Sequence, residues 1–410
     1  MPLANTRTSF GSVTKTFHWL TVLGILTVIP LGIVSNGLAH SIQDPTIPST
    51  EADFARAFFL FSLHKTIGVT LFFVALARIF WALTQPRPGL LNAEKKLETF
   101  AAETVHWLLY GSLLLVPLTG WIHHASTVGF APIWWPLGQS LPFVPKSQAV
   151  AETFASLHIL FERVLLAAIF LHVAGALKHH VIDKDATLRR MLPGATDTPV
   201  PPAHGLSVLP PLAAVFVWVA VLSGAAVLGT FSSHAAQTPE AQLEAAPSGW
   251  EVQDGRLQIA YTQLGSPVTG EFADWSAVIE FEPRDTPGPA GIVEVTIAIP
   301  SLSIGTVTAQ AMGPDFFDAE TYPTATFLGD IALTDTGYEA TGPLSIKGQS
   351  RDIILKFDIE IDGDTATMTG STALQRLDFG VGQSMPDETS LKFLVEVSVS
   401  ISARRSVDGQ

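Results

Sequence analysis

Between Ser156 and His180 the chain reads SLHILFERVLLAAIFLHVAGALKHH, an apolar stretch of membrane-spanning length with one Glu-Arg pair and the histidines His158, His172, His179 and His180. Imidazole is the commonest metal ligand and titrates near neutral pH, and an ionisable group inside an apolar span is costly and usually functional. Fourteen residues separate His158 from His172. At about 100° and 1.5 Å per residue, two such imidazoles lie about 40° apart around a helix and about 21 Å apart along it. They share a face at opposite depths. A single metal site needs its ligands together, so this spacing suits two stacked sites, each completed from another helix.

Depth identifies the partners. His18 in FHWL opens the first apolar run, level with His172, and His64 in LHKTIG lies in the outer half of the second run, level with His158. Two bis-histidine sites result, His18 with His172 inside and His64 with His158 outside. Haem b suits such sites, because it needs two axial imidazoles and an apolar slot between helices. The alternative is that these are polar residues hydrogen-bonded between helices. With no cysteine in the chain, c-type haem attachment, cysteine-ligated iron-sulfur clusters, disulfides and thiol chemistry are excluded.

The elements that must carry these residues are apolar runs at about Phe17–Leu38, Ala57–Leu83, Thr104–His124 and Phe154–His180. Each reaches the roughly 20 residues that cross a hydrocarbon core. A fifth run, Val208–Thr230, follows the Pro-rich PGATDTPVPPAHG. Arg7, Lys15, Arg87, Lys95, Lys96, Lys178, Lys184, Arg189 and Arg190 fall on one side of these runs and chiefly Arg56 and Lys146 on the other, so the first side is expected to be cytoplasmic. Trp134 and Trp135 then stand as outer interfacial anchors. The N-terminal run has no A-x-A site and reads as a retained span, not a cleaved signal.

Charge divides the chain. Up to Gln237 there are 14 basic and 11 acidic residues, and after it 9 and 26. The acidic half has no histidine and is a poor place for haem. Its period is two: in DIILKFDIEID, Ile353, Leu355, Phe357, Ile359 and Ile361 point one way and Lys356, Asp358 and Glu360 the other. About eight such strands before Ser402 predict an antiparallel barrel with an apolar interior. The domain reading is residues 1–195 for the four-helix bundle, 196–248 for a linker with the fifth helix at about 208–230, and 249–405 for the barrel.

FHWL, HKTIG, PLTGW and LHVAGALKHHVIDKDATLRRMLP resemble the bacterial cytochrome b561 family over roughly Lys15–Pro193. The family is a four-helix membrane bundle holding two haem b groups, and its motif histidines carry over to His18, His64, His158 and His172. Its members exchange electrons with quinone and include a superoxide oxidase that takes electrons from superoxide outside. His106 in VHWLLY is the rival inner ligand. His179 and His180 match the family's HH, yet a basic pair also suits a helix C-terminus. For His123 and His124, solvation at a loop edge is expected over a quinone or surface redox role. Arg163, one turn from His158, either neutralises a haem propionate or pairs with Glu162 or headgroups.

FADWSAVIEFEP, PSLSIG, DFFDAETYPTATF, GYEATGPLSIKGQSRDIIL and LQRLDFGVG resemble the YceI family over about Trp250–Ser402. That family is a lipocalin-like barrel holding a polyisoprenoid, usually in the periplasm. An eight-stranded barrel encloses one elongated apolar ligand or is filled by its own side chains. Asp315, Phe316 and Phe317 are a cap on its mouth or a turn.

The fold class expected is therefore a multidomain membrane protein, an all-α four-helix transmembrane di-haem bundle plus a fifth transmembrane helix, then an all-β lipocalin-like antiparallel barrel. The function expected is electron transfer between a periplasmic reductant, with superoxide the donor the resemblance implies, and ubiquinone or another isoprenoid quinone in a bacterial inner membrane, with an isoprenoid or quinone ligand in a periplasmic barrel. The rivals are a carrier subunit for another respiratory complex and a membrane-anchored lipid-binding protein. Membrane lipids are expected partners and nucleic acid is not.

Overall fold

The computed structural model describes residues 2–44, 47, 50–127, 131–134, 136, 138–194, 198, 207–231, 243, 248–263 and 265–406. His204, His234 and Trp135 lie outside them. The chain forms two compact units, Met1–Val34 with Leu60–Thr127 and Pro132–Ser233, and Ser35–Phe59 with Val128–Ala131 and His234–Gln410.

The long helices are α1 Ser12–Gln43, α2 Glu51–Leu83, α3 Lys96–Ser126, α4 Gln148–Lys178 and α5 Leu209–Val227. All five are long and apolar enough to cross a membrane, and large side chains such as Phe80, Phe170 and Phe216 are exposed on them, as lipid-facing residues are. The expected spans are present, each of the first four extended by several residues. α1 and α3 carry Pro30 and Pro117 in their interiors, a substitution membrane helices tolerate because neighbours satisfy the freed backbone groups. α5 starts on Pro210 and Pro211, whose missing N–H groups would be unpaired there in any case.

One end of the bundle is closed by polar ties from the segment after α4. Lys15 Nζ donates to the carbonyls of Leu192 and Gly194 at 2.8 and 2.9 Å. Trp19 Nε1 donates to Met191 at 2.8 Å, and Arg190 Nη1 to the Gly89 carbonyl at 2.9 Å. Trp81 Nε1, near the end of α2, donates to Thr14 Oγ1 at 3.1 Å. The helix α5 is more than a tether: Ala214 packs with Leu108, Val164 and Ala168, and the Trp218 and Phe161 rings meet edge to face at 5.1 Å. Gly111 faces Trp218, where a Cβ would stand in ordinary contact at 3.4 Å from Nε1.

The second unit is dominated by an antiparallel sheet of β1 Trp250–Gln263, β2 Ser266–Phe272, β3 Trp275–Phe281, β4 Gly288–Ala298, β5 Leu302–Ser303, β6 Thr324–Thr334, β7 Gly337–Ile346, β8 Gln349–Asp362, β9 Thr365–Gln375 and β10 Leu391–Arg405. Their order is β3-β4-β6-β7-β8-β9-β10-β1-β2-β5, a meander curled on itself. Ten strands replace the expected eight or so; one of the additions, β5, is two residues long and too short to show a period. The alternation holds: Phe357 is buried and Lys356 and Asp358 are exposed on β8. Lys347 and Gly348 form the two-residue turn before β8, both at positive φ, the geometry that matches strand twist. Gly255 lets β3 close over β1, since a Cβ there would lie 2.7 Å from the Trp275 ring.

The DFFD segment is a turn that packs on the barrel core. Phe316 and Phe317 lie against the core cluster, and the Asp315 carboxylate accepts from Ser384 N and Oγ at 3.1 and 2.7 Å. Lys347 Nζ ties it down by donating to the carbonyls of Asp315 and Gly380 at 3.1 and 3.0 Å.

Candidate functional site

The four histidines meet in pairs. His64 of α2 and His158 of α4 have ring centroids 6.4 Å apart with planes at 84°. His18 of α1 and His172 of α4 have centroids 6.3 Å apart at 60°. A metal about 2 Å from each ligating nitrogen sets the two ring centroids roughly 6 Å apart, so both gaps accept one ion between two imidazoles. His106 of α3 lies closer to His172, at 5.2 Å. That separation is too short for an ion between the rings, and it favours His18 over its rival.

The outer pair is oriented by backbone. His64 Nδ1 donates to the Val28 carbonyl at 2.9 Å and His158 Nδ1 to the Val116 carbonyl at 2.8 Å. A carbonyl accepts and never donates, so Nδ1 carries the proton and Nε2 is left as the ligating atom, the arrangement usual behind metal-bound histidines. Each ring lies against a glycine one turn beyond its acceptor. A Cβ on Gly32 would stand 2.8 Å from His64 Cε1, and one on Gly120 would stand 2.9 Å from His158 Nδ1.

Two charged residues near these sites were not singled out from sequence. Lys65 is buried beside the outer pair, close enough to act electrostatically on His64, His123 and His124. Arg78 lies near His18, His106 and His172, with Cζ 5.5 Å from the Tyr110 ring centroid. Lys65 follows a candidate ligand directly, and Arg78 follows it by fourteen residues, the spacing from His158 to His172.

Of the remaining histidines, His123, His124 and His179 have structural partners. His123 and His124 close α3 with rings 4.5 Å apart and are half-buried, and His123 Nδ1 donates to the Ala151 carbonyl at 2.7 Å. The expectation of loop-edge solvation is thereby corrected: the helix runs on to Ser126, and His123 is tied to α4 through the Ala151 carbonyl. His179 begins a five-residue π-turn, with Nδ1 2.7 Å from Asp185 Oδ2, and His180 is exposed. Glu98, His179 and Asp183 converge closely enough to hold a cation. Lys178 Nζ, however, stands 2.5 Å from Glu98 Oε2 and 3.0 Å from Asp183 Oδ2, and Lys95 Nζ 3.0 Å from Asp183 Oδ1. The carboxylates are neutralised by lysine, and the cluster is an ion-pair network joining α3 to the end of α4. Arg163 is exposed and pairs with Glu162 at 3.4 Å, which removes it from the outer pair.

In the barrel a cavity of about 100 Å³ is lined entirely by apolar side chains, among them Trp250, Trp275, Phe327, Leu355, Phe357 and Met368. Trp250 Nε1 turns away to donate to the Phe281 carbonyl at 3.0 Å.

Two family models match the chain: prokaryotic cytochrome b561 over residues 9–194 and the YceI-like domain over residues 250–403. Cytochrome b561 homolog 2 of Escherichia coli (strain K12) is 29% identical over 202 residues, 47% of this chain and 95% of that protein. A probable superoxide oxidase, CybB, of Yersinia pestis is 26% identical over 132 residues, 32% of this chain and 73% of that protein. The crystal structure of Burkholderia cenocepacia BcnA covers 36% of this chain and 95% of its own, at 28% identity and a TM-score of 0.34. With histidines paired across a bundle of apolar helices and an apolar-lined sheet after it, the chain joins a prokaryotic cytochrome b561 membrane domain, a family of haem b proteins, to a YceI-like domain.

Proposed function

We propose that the helical unit binds two haem b groups, one between His18 and His172 and one between His64 and His158, and passes electrons between an outer reductant and membrane quinone. The observation that carries this reading is the pair of centroid gaps, 6.3 and 6.4 Å, each the width of an iron shared by two imidazoles. Bound haem supplies reversible one-electron exchange at its iron. The chain's own residues do the rest: the Val28 and Val116 carbonyls hold Nδ1 protonated, Gly32 and Gly120 leave the rings room, and the apolar helices exclude water.

The Lys/Arg asymmetry of the loops supports a cytoplasmic N-terminus and an outer His64–His158 site. The relative described as a superoxide oxidase makes superoxide the donor to test. Right-side-out vesicles containing the protein should reduce added ubiquinone when superoxide is generated outside, and inverted vesicles should do so far more slowly. Absence of superoxide-dependent quinone reduction in vesicles whose haems are redox-active would overturn the enzymatic reading and leave an electron carrier.

The barrel cavity supports an isoprenoid chain as its ligand. An engineered apolar cavity of roughly 150 Å³ stays dry and admits a hydrocarbon, and each CH₂-sized group buried contributes about 0.8 kcal/mol. Organic extraction of the purified protein followed by mass spectrometry should yield a polyisoprenoid, quinone or otherwise. Replacing Ala340, which lines the cavity, with Phe should abolish its recovery; an extract unchanged by that substitution would place the lipid elsewhere.

A further inference from the structure

The bundle is built from two copies of a helix pair. FHWLTVLGILTVIPLG of α1 and VHWLLYGSLLLVPLTG of α3 align without a gap, placing His18 on His106, Trp19 on Trp107, Val28 on Val116 and Gly32 on Gly120. SLH of α2 falls on SLH of α4, placing His64 on His158. The outer level obeys this repeat in three dimensions: each copy supplies one imidazole, the carbonyl its Nδ1 bonds and the glycine it rests on.

The inner level breaks the repeat at one position. Continuing the alignment of α2 with α4, the residue fourteen beyond the outer histidine is His172 in one copy and Arg78 in the other. Three imidazoles and one guanidinium therefore gather there. A guanidinium stays protonated and offers no lone pair to a metal, so Arg78 is not a fourth ligand.

An arginine within a membrane helix is costly unless it reaches the interface or meets negative charge. Arg78 is turned towards α3, over the ring of Tyr110, one turn beyond His106. It also lies near enough to His18, His106 and His172 to act on all three. Among the described residues no Asp or Glu stands within ion-pair distance of it. With no carboxylate of the chain in reach, Arg78 either extends to the interface or meets a negative charge from outside the polypeptide, a haem carboxylate or a lipid phosphate. The inward direction and the nearness to the imidazoles favour the haem.

We propose that Arg78 neutralises a carboxylate of the haem held by His18 and His172. This rests on the two-haem reading, which a haem count per chain tests by itself. A positive charge at the propionate stabilises the reduced, more negative haem, and low dielectric strengthens the effect.

The test is a redox titration of the purified full-length protein and its R78Q and R78K variants, with the inner haem assigned from the signal that survives in His158→Ala. R78Q should shift the inner haem's reduction equilibrium about tenfold towards the oxidised form, about 59 mV for a one-electron couple, while the outer haem is unmoved. R78K should stay near the parent, and the propionate bending band in resonance Raman spectra should move in R78Q. Loss of the inner haem from R78Q with its retention in R78K would be the same result in stronger form. An R78Q protein holding both haems at parental potentials would show that Arg78 serves lipid headgroups, and equal loss of haem from both variants would show that packing matters and charge does not. Either outcome overturns the proposal.

Discussion

Replacing Gly120 with valine should halve the haem content of the purified protein while leaving all four candidate ligands in place. A Cβ at this position would lie 2.9 Å from Nδ1 and 3.0 Å from Cε1 of His158, closer than real Cβ contacts come, and a branched side chain adds two further methyl groups. The ring must then swing away, losing its bond to the Val116 carbonyl and with it the orientation that presents Nε2. His158→Ala should reach the same end by removing the ligand, and the double variant should lose no more haem than either single one, as expected of residues serving one site. His172→Ala should instead remove the inner haem. A pyridine haemochrome assay gives the count. Two haems with unaltered spectra in Gly120→Val would refute the outer site, and two haems in His172→Ala would transfer the inner ligand role to His106.

In the barrel, Arg376→Met should be the most damaging single substitution of a charged residue. Arg376 is 4% exposed, and its guanidinium donates to the carbonyls of Lys392, Val381, Gly382, Met385 and Leu391 at 3.1, 3.0, 2.6, 2.5 and 3.1 Å. Its Cζ also stands 5.3 Å from the Phe393 ring centroid. One side chain thus holds carbonyls of the loop between β9 and β10 and of the first residues of β10. Methionine keeps the bulk and leaves those carbonyls without a partner, at about 1–3 kcal/mol for each that water cannot reach. We expect a loss of about 3–5 kcal/mol, in the range for removing one member of a buried charged network. Amide hydrogen exchange on the full-length protein should then quicken by at least a hundredfold at residues 381–391 and the adjoining ends of β9 and β10. Lysine should rescue little, because its ammonium has three donors and no fork. Exchange in Arg376→Met within threefold of the parent would show that the loop is held by other contacts.

What the sequence alone determined are the features that depend on distance along one element. Span number followed from apolar length against bilayer thickness, and the sheet from strict alternation in segments such as DIILKFDIEID. The pairing of His64 with His158 and of His18 with His172 was legible because a helix rises by a constant amount per residue, so position in the sequence is depth in the membrane. Rotation about each helix axis and the choice of neighbours are not written in that spacing, and there the tertiary structure decided. It placed His18 at 6.3 Å and His106 at 5.2 Å from the same ring, assigned Gly32 and Gly120 to the rings of other helices, and packed α5 on α3 and α4 where the sequence marked only a fifth span within a linker. It turned Arg78 inward beside Tyr110, tied His123 to Ala151, and gave Arg376 acceptors up to sixteen residues away. Each of these outcomes depends on how separate segments fill one common volume, because a close-packed interior admits a side chain only where every neighbour leaves it room.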